Sequence, residues 1–176
     1  MKKILLMGHP NVGKSVFFNR LTGAHVIESN YPGTTVDYTK GYMKLDGEDT
    51  EVMDVPGTFS LKPKDKAEEV AAKMLEENKD AYIVCVLDAS KIERGLYLVF
   101  EIAERNYPMV IALNMWDVAK EKEIKIDTDK LEKILGIPVI PTVAVEGEGM
   151  KDVISRLKEA NRINIDKIKE GLKEAV

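Results

Sequence analysis

Residues 8–15, Gly8-His9-Pro10-Asn11-Val12-Gly13-Lys14-Ser15, match the pattern G-x-x-x-x-G-K-[ST] without a mismatch. The apolar run from Lys2 to Met7 before them has strand length, and Ser15 to Leu21 after them carries apolar residues at helical spacing. A strand, a glycine-rich loop and a helix in that order form a turn that wraps a polyphosphate. Gly8 and Gly13 let the backbone come close, N–H groups point inward, and the helix N-terminus adds partial positive charge. The candidate phosphate contacts are Gly8, Asn11, Val12, Gly13, Lys14, Ser15 and Val16. Lys14 brings a full charge to the β and γ phosphates. Ser15 offers a hydroxyl to magnesium, a hard cation that takes oxygen ligands.

A chain of 176 residues suits one domain with a real core. Its net charge of −4 speaks against an extended basic surface for nucleic acid. No apolar run reaches membrane-spanning length, and the N-terminus passes from two lysines straight into strand residues, so the chain itself reads as soluble and cytoplasmic. The one cysteine, Cys85, falls in Tyr82-Ile83-Val84-Cys85-Val86-Leu87 and reads as a buried apolar residue.

Along the chain, residues 23–36 read as an exposed loop, and residues 37–45 alternate as a strand that turns at Asp46-Gly47 into an antiparallel partner over 50–55. Asp65 and Glu68 fit a helix N-cap, followed by Ala67, Val70, Ala71, Met74 and Leu75 at helical spacing. The runs 81–87 and 109–113 are almost continuously apolar, as strands covered on both faces are. Between them Ile92, Leu96, Val99, Phe100 and Ala103 mark a crossover helix. A helix capped at Asp127 or Thr128 and stopped by Gly136, a strand over 139–143, and a helix through Met150, Val153, Ile154 and Leu157 complete the alternation. The expected fold is α/β: a P-loop NTPase with a small-GTPase-like, mainly parallel six-stranded sheet and helices on both faces.

The polar residues at the strand ends choose among nucleotide users. In the loop with Gly33, Thr34 and Thr35, one threonine hydroxyl reaches magnesium only when a γ phosphate is present. Asp54 ends one strand and holds the metal through water, while the Gly57 amide meets the γ phosphate. Asn114 and Asp117 flank Met115 and Trp116 at another strand end. A carboxylate there accepts both N1–H and the 2-amino N–H of guanine, and adenine lacks that donor pair. The Ala144 amide, between Val143 and Val145, is placed to meet the guanine carbonyl. A lone Asp54 or Asp117 would be read as a cap or a solvated side chain; their order after the P-loop points instead to GTP and GDP.

In this arrangement the chain resembles the translation-factor-like branch of small GTPases, and within it the GTPase domain of the ferrous iron transport protein B family. The resemblance rests on residues 8–15, on Asn30-Tyr31-Pro32-Gly33-Thr34-Thr35-Val36-Asp37, on Asp54-Val55-Pro56-Gly57-Thr58-Phe59-Ser60-Leu61 and on the stretch from Asp88 to Leu98. The Ser60-Leu61 pair and the helix start Glu93-Arg94-Gly95-Leu96-Tyr97-Leu98 discriminate most. The resemblance covers residues 3–158. It implies GTP binding and hydrolysis coupled to ferrous iron uptake, with the domain on the cytoplasmic face of an inner membrane. It also implies a helical spacer and a membrane transport domain further along a longer chain. The implied catalytic set is Asn11, Lys14, Thr35 and Gly57. The implied magnesium ligands are Ser15, Thr35 and Asp54.

Several residues depart from the usual patterns. Met115 stands where GTPases usually have the N-K-x-D lysine, whose stem packs over the base; members of the family often share this, which implies weaker binding and faster release. Tyr31 stands where the family usually has tryptophan, and Val143 and Val145 replace serine and alanine surroundings. Thr58 stands where many GTPases place a water-orienting glutamine, and its side chain is too short for that task. The transition state still needs positive charge between the β and γ oxygens, and no cis arginine finger is evident; Asn11 offers an answer, since its amide oxygen, with loop carbonyls near Ser29 to Tyr31, can hold a potassium ion beside the phosphates, as in the potassium-stimulated GTPases that such P-loops resemble. The plain alternative is a hydrogen bond within its own loop. Residues 1–160 are expected to form the GTPase domain. Residues 161–176, with Ile163, Ile165, Ile168 and Leu172, are expected to begin the spacer or to form a solvated tail. Self-association is left open. Two other readings remain: a stand-alone GTPase of ribosome or RNA assembly, and a nucleotide-binding regulatory module with negligible turnover.

Overall fold

In chain order, strand β1 (Lys2–Met7) leads through residues 8–13 into helix α1 (Lys14–Thr22), followed by β2 (Val26–Asn30), β3 (Asp37–Leu45) and β4 (Glu48–Asp54). Helix α2 (Lys66–Glu77), β5 (Tyr82–Asp88), α3 (Ile92–Glu104) and β6 (Met109–Asn114) follow. Then come α4 (Trp116–Glu121), α5 (Thr128–Leu135), β7 (Val139–Pro141), α6 (Met150–Arg156) and α7 (Ile165–Ala175). This computed structural model describes residues 1–23 and 25–175; Ala24, in the expected loop, and Val176 lie outside the described residues.

The sheet has seven strands in the order β2-β3-β4-β1-β5-β6-β7. β3 runs antiparallel to β2 and β4, and the other neighbours are parallel. The connection after β1 leads to the β2–β3–β4 side, whereas the connection after β4 crosses β1 to reach β5. The loop after β1 therefore lies where the strand order reverses, at the carboxyl ends of the strands, the place where open α/β sheets open a crevice.

Alternation of side chains divides the core between two faces. Leu5, Met7, Met53, Ile83, Cys85 and Ile111 meet α2 and α3 on one face; Ile4, Leu6, Val52, Val84, Val86 and Val110 meet α1 and α6 on the other. Strands β5 and β6 are sandwiched in this way, hence their unbroken apolar runs. Cys85 is fully buried, and burial pushes its thiol up to about 12, which removes it from chemistry at neutral pH. Asp65 caps α2 by accepting from Glu68 N at 2.8 Å, and Asp127 caps α5 by accepting from Lys130 N at 2.9 Å, as read from the sequence.

Two expectations need correction. The sheet has seven strands rather than six, because residues 26–30, read as part of a loop, form the edge strand β2 against β3. Every residue of β2 except Val26 is exposed, so no apolar alternation marks it, and its backbone ladder alone defines it. The six-residue α4 is also additional, too short to show a helical period. Beyond residue 160, Ile163 is buried to 5% exposure, and Ile165 and Ile168 of α7 pack on the same core, while Leu172 stays 62% exposed. Burying one isoleucine contributes about 2 kcal/mol. The first turns of α7 are therefore held to the domain.

Candidate functional site

The loop after β1 takes its shape from two left-handed residues. Gly13 has φ 84°, and a Cβ there would run into the side-chain amide of Asn114, so both conformation and space require glycine. Asn11 has φ 65°, a region that Asn tolerates better than most residues. Its side chain is exposed and makes no hydrogen bond among the described residues, so the bond within its own loop is not formed.

Lys14, only 8% exposed, pairs with Asp54 and also donates to Val55 O. A lysine taken this far from water needs a carboxylate partner, and the end of β4 supplies one. Ser15 Oγ donates to the other Asp54 oxygen at 3.3 Å. One carboxylate thus joins the two side chains that the motif aims at phosphate and metal. The cleft beside them, about 340 Å³, is lined by His9, Asn11, Gly13, Lys14, Val16 and Gly57, among others. Among the described residues, no three His, Cys, Asp or Glu side chains gather to cage a metal. A serine hydroxyl beside a carboxylate is the hard-oxygen pair magnesium takes when phosphate and water complete its shell.

The second half of the site is built on Asn114, at the end of β6 and 3% exposed. Its Nδ2 donates to Val12 O at 2.8 Å, and its Oδ1 accepts from Ala144 N at 3.0 Å and Thr142 Oγ1 at 3.2 Å. The Ala144 amide expected to face a guanine carbonyl is therefore engaged by Asn114 in this geometry. Met115 follows with φ 56°, a left-handed turn that starts α4 and brings Asp117 into its first turn. Arg20 of α1 clamps the neighbouring loop, donating from Nε to Ala144 O at 3.1 Å and from Nη2 to Val145 O at 2.6 Å. Val143 is buried and Val145 is 65% exposed.

The two threonine-bearing loops differ. Tyr31 N donates to Val36 O at 2.8 Å, and Thr34 Oγ1 donates to Tyr31 O at 2.9 Å, closing residues 31–36 on themselves. Thr34 is thus a brace within the loop, while Gly33 and Thr35 are exposed and stand outside the bonded cluster. Tyr31 OH donates to Glu77 at 2.6 Å; burial first, then this partner, pushes its phenol up to about 12. Thr58 is fully buried, its hydroxyl donating to Ser60 O at 2.7 Å and its N–H to Gly8 O at 3.0 Å. It braces the loop and does not face the cleft. His9 packs on Phe59 with ring centroids 4.9 Å apart, and burial above all holds its imidazole below its ordinary value.

The residues missed by sequence reasoning are Arg20, Thr142 and Glu101, which act across 124, 28 and 41 residues of sequence, a separation no local pattern reports. A larger hollow of about 590 Å³ lies between α5 and α7, lined by Ile134, Ile168 and Leu172 among others. Its lining holds no carboxylate, imidazole or nucleophile.

The family model described as ferrous iron transport protein B matches residues 2–157. An Fe(2+) transporter FeoB of Staphylococcus aureus (strain MSSA476) is 39% identical over 158 residues, which are 90% of this chain and 24% of that protein. The cytosolic domain of L. pneumophila FeoB superposes with a TM-score of 0.88 at 38% identity, covering 93% of this chain and 65% of that one. The cytosolic domain of T. maritima FeoB in its GMPPNP form gives 0.84 at 36% identity, covering 93% and 67%. The chain spans about a quarter or less of the length of the curated relatives it matches.

Proposed function

Since the chain belongs to the ferrous iron transport protein B family, we propose that it is a GTP-binding and GTP-hydrolysing switch domain that regulates ferrous iron uptake by a longer, membrane-bound protein. The observation that supports this reading is that Asn114 binds Val12 O with Nδ2 and Ala144 N with Oδ1, and so ties the loop after β7 to the loop that leads into Lys14 and Ser15, both of which pair with Asp54. Family membership sets aside the ribosome-assembly alternative.

The roles follow from the chemistry of the side chains. Lys14 leaves Asp54 for the β and γ phosphates, and Ser15, Asp54 and Thr35 would hold magnesium, which supplies charge neutralisation at the phosphate oxygens. The Gly57 amide meets the γ phosphate. Asp117 reads the guanine N–H pair, Asn114 holds the two loops together, and Ala144 meets the base carbonyl when a nucleotide draws its amide from Asn114. With Thr58 turned inward, Asn11, which lines the cleft beside Lys14 and Ser15, is the candidate to hold potassium, which would supply positive charge between the β and γ oxygens. Residues 1–160 make up the GTPase domain. Helix α7 leads toward a helical spacer and a membrane transport domain of the same chain, with this domain at the cytoplasmic face. Among the described residues no helix is long and apolar enough to cross a membrane.

Hydrogen exchange with GMPPNP and with GDP tests the switch. Residues 24–36 and 57–64 are expected to be protected with the triphosphate analogue and loose with GDP or no nucleotide. Equal protection in both states would contradict a switch of this kind.

A further inference from the structure

The Ser60-Leu61 pair stands out in the sequence without a role in nucleotide chemistry, and the fold gives it one. Ser60 Oγ donates to both oxygens of Glu101 on α3, at 2.8 and 3.1 Å, and Leu61 N donates to Glu101 Oε2 at 2.5 Å. Arg105, the residue that caps the C-terminus of α3, donates from Nη2 to Leu61 O at 3.4 Å. One helix face thus binds the serine hydroxyl and both backbone polar groups of Leu61, whose side chain is 2% exposed. From the opposite side Glu68 of α2 accepts from Phe59 N at 3.2 Å and Lys64 N at 2.8 Å. Residues 57–64 have no regular structure, so these contacts, together with the Thr58 bonds to Gly8 O and Ser60 O, hold their path.

We propose that Glu101 is a positioning residue for GTP hydrolysis: by holding Ser60 and Leu61 on α3 it fixes the loop that presents the Gly57 amide to the γ phosphate. This rests on the hydrolysis reading above. A carboxylate accepting a backbone N–H makes a charge-assisted bond, roughly twice as strong as a neutral one. The platform is stiff, because Gly95 lets α3 lie so close to β5 that a Cβ there would stand 2.8 Å from Leu87 Cδ2. A donor held ahead of reaction by a rigid element needs no reorganisation when charge develops on the γ phosphate.

Glu101→Ala and the conservative Glu101→Gln, whose amide oxygen still accepts from Leu61 N, separate positioning from folding. In Glu101→Ala the exchange of the Leu61 amide should rise about tenfold, with the sheet amides unchanged, and kcat for GTP should fall about tenfold with KM held within about twofold. Glu101→Gln should recover most of both. Unchanged Leu61 exchange in Glu101→Ala would overturn the proposal, and so would faster exchange with an unaltered kcat. A variant in which all core amides lose protection together would assign Glu101 a structural role instead, which also overturns it. Absence of turnover in the unmutated domain would fail the hydrolysis reading and with it Glu101's role in hydrolysis. Leu61 exchange, measured with GMPPNP bound, needs no turnover and would still show separately whether Glu101 holds the loop.

Discussion

The side-chain amide of Asn114 donates to the carbonyl of Val12 at 2.8 Å, 102 residues away in sequence, and so welds the loop after β6 to the loop after β1. Its other end holds Ala144 N and Thr142 Oγ1. Removing it leaves three buried polar partners unsatisfied. Asn114→Ala should therefore weaken GTP and GDP together, by about tenfold or more, and lower stability by about 1–3 kcal/mol. Nucleotide titration and urea unfolding measure the two effects. Normal affinity in the variant would mean that the link does not shape the site.

In the proposed reading Asp117 accepts from the guanine N–H pair, the donor pair adenine lacks. Asp117→Asn should lower GTP affinity by about 2–3 kcal/mol, the worth of a hydrogen-bonded charge, and should favour xanthine nucleotide, whose N1 region presents the complementary pattern. Competition between GTP and xanthosine triphosphate reads the change directly. A variant that kept its preference for GTP would remove Asp117 from base reading.

Away from the site, Arg156 of α6 grips Glu132 of α5, with Nη1 to Oε1 at 2.5 Å and Nη2 to Oε2 at 3.3 Å, and Val139 N adds a bond at 2.8 Å. The Arg156 bonds hold the Glu132 carboxyl below its ordinary value of 4.5 against a smaller opposing effect of burial. A carboxyl depressed on folding contributes stability above its unfolded pKa and loses it as pH falls through the folded value. Arg156→Ala should cost about 1 kcal/mol at pH 7, since the pair is partly solvated. In urea unfolding at successively lower pH the gap from the unmutated protein should close below 4.5. A gap that stayed constant with pH would assign the loss to packing of the Arg156 stem.

What was legible in the sequence was the set of strand ends, because residue types there are fixed by chemistry as well as by packing. Gly13, Lys14, Ser15, Asp54, Asn114 and Ala144 fall where the spacing put them, and the two-sided burial of β5 and β6 wrote itself into unbroken apolar runs. Strand β2 was not legible, since an edge strand exposed on both faces carries no alternation. Nor were the grips of Arg20 on Val145 O or of Glu101 on Leu61 N. Exposed charged residues on helices look solvated until the fold brings a distant loop to them. Glu68 was half legible: its place in the first turn of α2 follows from Asp65, but its carboxylate reaches past the cap to Phe59 N.

We propose that this domain turns GTP into GDP with a potassium ion held by Asn11 supplying positive charge between the β and γ oxygens. Single-turnover hydrolysis, run in potassium and in sodium at equal ionic strength on the unmutated domain and on Asn11→Ala, tests it most directly. GTP should yield GDP and phosphate, and ATP should not be cleaved; the reaction should run faster in potassium, with that difference lost in Asn11→Ala. GTP recovered intact, or hydrolysed at one rate in both salts and both proteins, would contradict it.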